Sequence, residues 1–357
     1  MPHLAVFSAK PYDKLFLTST RAKQLLQSSP ATSTTSTLDI VHHEFPLSVD
    51  TVSVLPKGAL AVCVFVNDTV NADVLKALSE HGVKAVFLRC AGFNNVDLKV
   101  AEQLGLHVAN VPAYSPEAVA EFAVALIQTL NRNTHRAYNR VREANFDLNG
   151  LLGKTLRGKT VGVIGTGRIG VAFAKIMGAG FGCRILAFDP FESDELKKYG
   201  EYVKELDNLL PQCDIISLHC PLLDSTKHII NKKSLEKMKD GVLLVNTSRG
   251  GLIDTKSVIA GLKSWKLGGL ALDVYEGEGG LFYSDHSGTI IHDDELMRLT
   301  TFHNVLVCGH QAFFTEEALR EIADCTIKNM AEYIGGGECT HALVGKAQRK
   351  YSIPLRT

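Results

Sequence analysis

Short apolar runs rich in Val, Ile and Leu punctuate the chain, and between them apolar positions recur every three or four residues. Leu4–Phe7, Ala61–Val66 and Lys84–Leu88 read as buried parallel strands, with Asp73–His81 and Val96–Leu104 as helices among them. Ser115 and Pro116 supply an N-cap and a first-turn proline. The helix they open runs from Glu117 to about Asn131, is apolar on most faces, and predicts burial within the protein or between subunits. Arg132–Phe146 carries Arg132, Arg136, Arg140 and Arg142 and reads as a solvated helical face in preference to an anion site. From Lys159 the cadence becomes regular. Strand-like runs fall at Thr160–Ile164, Arg184–Phe188, Asp214–Leu218, Val242–Asn246, Gly268–Leu272 and Val305–Cys308, and a last helix spans Thr315–Ile334. Strands alternating with helices predict an α/β protein whose parallel sheet is covered on both faces.

Length and charge narrow the classes of function. A chain of 357 residues predicts two domains. Lys and Arg total 38 and Asp and Glu total 38, which argues against a nucleic-acid partner but leaves a small anionic substrate open. No run is long enough to span a membrane, and Met1–Tyr12 lacks the pattern of a secretory leader, so a cytoplasmic location is expected. The eight cysteines form no CxxC pair and sit mostly in apolar surroundings, as reduced thiols do. Without clustered Cys and His, no metal site is expected. The Ser/Thr-rich stretch 28–37 reads as a surface loop.

Chemistry enters with TVGVIGTGRIG at 160–170. Gly165, Gly167 and Gly170 form GxGxxG directly after a β-branched strand and before a helical run. The first glycine permits a tight turn, the second lets backbone approach a pyrophosphate, and the third lets helix and strand pack closely. Free N–H groups at the helix start favour the phosphates. Asp189 ends the next strand, where a carboxylate accepts hydrogen bonds from ribose hydroxyls and repels a 2′-phosphate. The pattern predicts a doubly wound dinucleotide domain that takes NAD in preference to NADP. Further on, polar groups follow three strands: Arg249 after Val242–Asn246, Asp273 to Glu278 after Gly268–Leu272, and His310 after Val305–Cys308. In an open α/β sheet, ligands bind beyond the carboxyl ends of the strands. A cation, acids and an imidazole are therefore aimed at one crevice.

At this point the chain resembles the D-isomer-specific 2-hydroxyacid dehydrogenases, and among them the fermentative NAD-dependent D-lactate dehydrogenases. The resemblance runs from Leu4 to about Thr340 and is carried by LRCAGFNNVD (88–97), VPAYSPEAVAEFA (111–123), VGVIGTGRIG (161–170), ILAFDP (185–190), SLHCPL (217–222), VNTSRGGLID (245–254), LDVYEGE (272–278) and GHQAFFTEEAL (309–319). Stretch 28–37 and the tail 345–357 depart from the pattern.

The resemblance implies a second, flavodoxin-like and discontinuous domain for substrate, made of residues 1–112 plus 311–357, beside an NAD-binding Rossmann domain at 113–310, with a cleft between them that closes on substrate. It implies that Arg249 binds the substrate carboxylate, His310 is the general acid and Glu278 orients its imidazole. Ala91 and Gly92 would offer backbone N–H groups to the carboxylate, and Tyr114 and Phe313 would line the substrate side chain. Around NAD the implied residues are Arg168 and Ile169 at the pyrophosphate, Cys220, Pro221 and Thr226 near the adenosine, and Thr247, Ser248 and Asp273 near the nicotinamide. The reaction implied is reversible reduction of pyruvate to D-lactate. Another 2-oxo acid (branched, aromatic or glyoxylate) and an NAD-sensing corepressor role remain open. A homodimer or homotetramer is expected through the Glu117–Leu130 helix.

Overall fold

A computed structural model describes residues 3–28, 38–336 and 338–344. Most of the Ser/Thr-rich stretch and the tail from 345 lie outside the described residues. The chain forms two compact units: the residues up to Ser115 together with those from Phe314 onward, and Pro116–Phe313. The sequence reading placed these divisions at 112/113 and 310/311.

The first unit begins with β1 (His3–Val6), α1 (Pro11–Phe16), α2 (Ser19–Ser28), β2 (Asp39–His42), β3 (Ala61–Val64), α3 (Ala72–His81), β4 (Ala85–Leu88), α4 (Leu98–Gln103) and β5 (His107–Ala109). Asn71 and Asp97 start α3 and α4, each accepting a hydrogen bond from the backbone three residues on. Gly82 ends α3 in the left-handed conformation at φ 97°.

The second unit contains α5 (Pro116–Arg132), α6 (Thr134–Arg142), β6 (Thr160–Ile164), α7 (Arg168–Lys175), β7 (Arg184–Phe188), β8 (Gly200–Tyr202), α8 (Leu206–Leu209), β9 (Ile215–Leu218), α9 (Lys232–Lys237), β10 (Val242–Asn246), α10 (Thr255–Lys263), β11 (Leu267–Leu272), α11 (Asp294–Thr300) and β12 (Val305–Val307). The chain then returns to the first unit with α12 (Glu316–Ile334) and β13 (Ala342–Val344).

The first sheet runs β13-β5-β4-β3-β1-β2, parallel except for β13. Its parallel part has the 2-1-3-4-5 order of flavodoxin-like folds. The second sheet runs β12-β11-β10-β9-β6-β7-β8 and is parallel throughout. Its order reverses between β6 and β9, the switch point of a doubly wound sheet. Both folds are those expected.

Several elements differ from the sequence reading. The second sheet has a seventh strand, β8, which is short, lies at an edge and has no buried residue, so it leaves no apolar run to read. Strands β2, β5 and β13 were also not read from the sequence. Helix α5 buries Ala120, Ala123, Leu126, Ile127 and Leu130 in the core of its own unit, against Val161, Val163 and Phe173. Glu117, Glu121 and Ala125 form its exposed stripe at a spacing of four.

Helix α6 buries nothing. Arg136 and Arg140 donate to carbonyl oxygens of Asp147, Asn149 and Gly150, so the basic segment is solvated and tied to its own loop. The same region leaves Tyr138, Val141, Phe146, Leu148 and Leu152 exposed.

The first unit is sealed by the returning helix. Ala323, Ile327 and Met330 of α12 join Leu4, Val6, Ala61 and Phe87 in one buried cluster. Ile327→Ala removes buried methyl groups from this seam and is expected to cost about 2–5 kcal/mol. The measurement is the urea midpoint of the first unit. A midpoint equal to that of the unchanged chain would show that α12 carries no core there.

Candidate active site

The glycine turn is built around close contacts that only glycine allows. Gly165 follows β6 at φ 94°, and a Cβ there would lie 2.3 Å from the Cys220 nitrogen at the end of β9. The two strands that flank the switch point therefore meet backbone to backbone. A Cβ on Gly170 would lie 2.1 Å from the Gly165 oxygen, so α7 packs directly on the turn that precedes it. Gly167 occupies the N-cap of α7, with Arg168 exposed and Ile169 half-buried in its first turn.

Asp189, one residue past β7, accepts from the Thr166 backbone at 2.6 Å and from the Phe191 backbone at 2.8 Å. Its carboxylate is thereby fixed beside the glycine turn. Tyr202 of the unforeseen strand β8 donates to the Thr166 hydroxyl at 2.8 Å and steadies the same turn.

The next strand end presents the cation. Asn246 ends β10 fully buried. Its amide donates to the Arg249 carbonyl at 2.8 Å, and its side-chain oxygen accepts from the Ser248 backbone at 3.0 Å. Sequence reasoning quoted this asparagine inside its motif and gave it no part, yet it shapes the turn that carries Arg249. The Ser248 hydroxyl donates to the Cys220 carbonyl at 2.7 Å and ties this turn to the end of β9. Gly250 follows. A Cβ there would lie 2.1 Å from the Tyr275 carbonyl carbon, so the Arg249 turn lies directly against the segment after β11.

Arg249 is half-buried, and its guanidinium donates to the Ser248 carbonyl at 2.7 Å. Among the described residues it makes no ion pair. The buried Thr247 hydroxyl likewise has no hydrogen-bond partner among them.

The acid and the imidazole meet. Glu278 accepts from His310 Nδ1 at 3.0 Å with one oxygen and from the Tyr275 backbone at 3.0 Å with the other. Its carboxylate is thus oriented by its own turn before it reaches the histidine. His310 adopts φ 57°, a left-handed conformation unusual for a residue with a side chain.

Asp273 is buried, and its oxygens accept from the backbones of Gln311 at 2.7 Å and Ala312 at 3.0 Å. Burial raises its pKa, and the two N–H bonds oppose that shift. Its position is that of a clamp on the loop following His310. Glu276, which the sequence reading left without a role, pairs with His228 at 2.7 Å.

The remaining candidates divide by unit. Cys220 is buried and its thiol pushed up to about 12 by burial, so it is inert as a nucleophile. Thr226 donates to the Pro221 carbonyl at 2.7 Å and closes the loop after β9. Phe313 is buried at the end of the second unit. Ala91, Gly92 and Tyr114 belong to the first unit, where the Ala91 carbonyl accepts from the Asn110 amide at 2.7 Å. No group of three or more His, Cys, Asp or Glu among the described residues is placed to hold a metal.

Residues 124–312 match the model of the D-isomer specific 2-hydroxyacid dehydrogenase NAD binding domain. The D-lactate dehydrogenase kk1H of Curvularia clavata is 63% identical over 96% of this chain and 95% of its own length. The chain belongs to the D-isomer-specific 2-hydroxyacid dehydrogenases. Two solved structures agree with the fold. The apo D-lactate dehydrogenase of Escherichia coli aligns with TM-score 0.83 at 47% identity, over 96% of this chain and 100% of that one. The pyruvate reductase of Chlamydomonas reinhardtii aligns with TM-score 0.86 at 42% identity, over 95% and 98%.

The residues present fit the NAD that this family uses. A tight turn built on Gly165 and Gly167, the helix start that follows it, an acid fixed at the next strand end and a buried hydroxyl without a partner among the described residues together suit a dinucleotide.

Behind the glycine turn of this dehydrogenase lies His219. Its Nε2 is 2.9 Å from the Ser217 hydroxyl and its ring centre 4.9 Å from that of Phe173. Burial pushes its pKa down to about 3 from an ordinary 6.5. The unfolded chain therefore takes up a proton below about 6.5 that the folded chain refuses. The stability this residue contributes is complete above that pH and is lost as pH falls toward about 3, by up to about 1.4 kcal/mol per pH unit. His219→Gln is expected to remove one proton from the acid limb of stability against pH. An unchanged slope in urea titrations from pH 6.5 to 4 would refute the assignment.

Proposed function

We propose that this dehydrogenase reversibly reduces pyruvate to D-lactate with NADH. The observation that carries the reading is Arg249, a half-buried cation with no carboxylate partner among the described residues, in a turn packed against the segment that carries Glu278, the partner of His310. An unpaired guanidinium there suits a small carboxylate in bidentate contact. The names carried by the relatives support pyruvate and D-lactate as the pair.

NADH, held when bound by the glycine turn and Asp189, would supply the hydride that reduces C2 of the 2-oxo acid. Arg249 holds the substrate carboxylate and draws electron density from the neighbouring carbonyl. His310, protonated, gives its Nε2 proton to the carbonyl oxygen as C2 is reduced. Glu278 holds Nδ1, which fixes the ring orientation and leaves Nε2 for the transfer. In the reverse direction the neutral imidazole takes the hydroxyl proton.

Ala91 and Gly92 are proposed as N–H donors to the carboxylate, and Tyr114 and Phe313 as neighbours of the substrate methyl. For the cofactor, Gly165, Gly167, Arg168, Ile169 and Gly170 take the pyrophosphate, and Asp189 the ribose hydroxyls. Cys220, Pro221 and Thr226 flank the adenosine, and Thr247, Ser248 and Asp273 the nicotinamide end.

We further infer a homo-oligomer, a dimer or tetramer. The exposed apolar side chains Tyr138, Val141, Phe146, Leu148 and Leu152 of α6 and the loop after it favour this, since apolar side chains left in water suit a subunit contact. A cytoplasmic location fits eight free cysteines, six of them buried.

The test is NADH oxidation against pyruvate, glyoxylate, 4-methyl-2-oxovalerate, phenylpyruvate and oxaloacetate. Pyruvate is expected to give the highest kcat/KM. A higher value for another acid reassigns the substrate, and no turnover with any would favour a sensing role. Arg249→Ala and His310→Ala are each expected to lower kcat/KM about a hundredfold or more while NADH fluorescence titrations stay unchanged. Near-normal turnover in either overturns the site. Replacing NADH by NADPH is expected to cost most of the activity, and equal rates would refute the role of Asp189.

A further inference from the structure

The mechanism above leaves one group beside the acid unused. His310 is one of two neighbouring non-glycine residues with positive φ, at 57°, and the other is Tyr283, at 66°. The Tyr283 hydroxyl donates to the His310 carbonyl oxygen at 3.1 Å, and its ring centre lies 5.8 Å from the imidazole at an interplanar angle of 36°. On the other side of His310, its backbone N–H donates to the Asp273 carbonyl at 2.7 Å. Both backbone polar groups of His310 are therefore held, one by the Asp273 carbonyl just beyond β11 and one by a side chain.

The chain between Glu278 and Tyr283 brings that side chain into place. The nitrogens of Leu281 and Phe282 donate back to the Glu278 carbonyl at 3.0 and 3.1 Å, which forms one helical turn. The acid partner and the tyrosine thus come from consecutive turns of one segment and grip the histidine at different atoms: Glu278 at Nδ1 and Tyr283 at the carbonyl.

We propose that Tyr283 is a positioning residue for proton transfer, its hydroxyl holding the His310 carbonyl so that the residue keeps the left-handed backbone that aims Nε2 at the substrate. A left-handed conformation at a β-carbon-bearing residue persists only where its surroundings over-determine it. Here Asp273 holds the N–H of His310 and Tyr283 its carbonyl, so the peptide groups on both sides of its α-carbon are fixed. The bond acts on the backbone, so its loss misaims the ring without removing the Glu278 contact. This inference rests on His310 being the acid.

The experiment compares Tyr283→Phe, His310→Gln and the double variant, with pyruvate and NADH. Phenylalanine is isosteric and removes only the hydroxyl. Tyr283→Phe is expected to lower kcat about tenfold. KM for pyruvate, the NADH Kd and the thermal midpoint are expected to stay unchanged, and the solvent deuterium isotope effect on kcat to rise as proton transfer becomes slower. In the His310→Gln background the same change is expected to cost nothing further. Unchanged kcat in Tyr283→Phe, or an equal loss in both backgrounds, overturns the proposal while leaving the role of His310 intact. Near-normal activity in His310→Gln overturns the acid assignment, and the proposal with it.

Discussion

The carboxylate of Asp273 is the contact on which the rim of the second sheet depends. It stands one residue beyond β11, buried, between the ends of β10 and β12. Its backbone nitrogen donates to the Asn246 carbonyl at 2.9 Å, its carbonyl accepts from His310, and its side chain accepts from Gln311 and Ala312. One residue therefore joins three strand ends that the sequence separates widely. The cost is a raised pKa: burial pushes it up and the two N–H bonds only partly offset that. A buried carboxylate is kept where apolar packing could not do the same task, because loops after parallel strands have no ladder of their own to hold them.

A second constraint is steric and acts on the opposite side of the same rim. Parallel strand ends converge only if something is left out where their loops cross. At the switch point it is the Gly165 side chain, missing against Cys220, and at the cation turn it is that of Gly250, missing against Tyr275. Any larger residue would push backbone from backbone, and with it Asp189 from the glycine turn or Arg249 from the Glu278 segment. Glycine thus does two kinds of work here. At Gly165 it supplies both a positive φ and space, and at Gly250 space alone.

These constraints explain what could be read from residues. The cofactor turn, the strands of the second sheet that bury on both faces, and the polar residues at their ends were legible because each is written in a short stretch with a local physical reason. The edge strand β8 was not, since Gly200–Tyr202 buries nothing, and its contribution is one hydroxyl reaching Thr166. Asn246 was seen but not understood, because its hydrogen bonds depend on the turn it creates. Asp273 was given a cofactor role by resemblance, whereas its contacts to Gln311 and Ala312 depend on a loop far along the chain. Tyr283 left no signal at all, since nothing in its neighbourhood predicts a bond to a carbonyl 27 residues away.

Charge separates the arginine proposed to hold the substrate from the structural one. Arg89 is almost wholly buried, yet its guanidinium pairs with Asp13 at 3.0 Å and donates to the Ser8 carbonyl at 2.9 Å. Removing either partner would leave a stranded charge, so that pair belongs to the architecture of the first unit. Arg249 is less buried and has no such partner among the described residues, where its guanidinium donates to the Ser248 carbonyl beside it. A neutral carbonyl does not cancel a positive charge, so Arg249 keeps most of its attraction for an anion. With 38 basic and 38 acidic side chains the whole chain casts little long-range field. Selection of a small carboxylate therefore falls on short-range contact in a partly dehydrated site, where one unpaired guanidinium is worth far more than the same charge in open water.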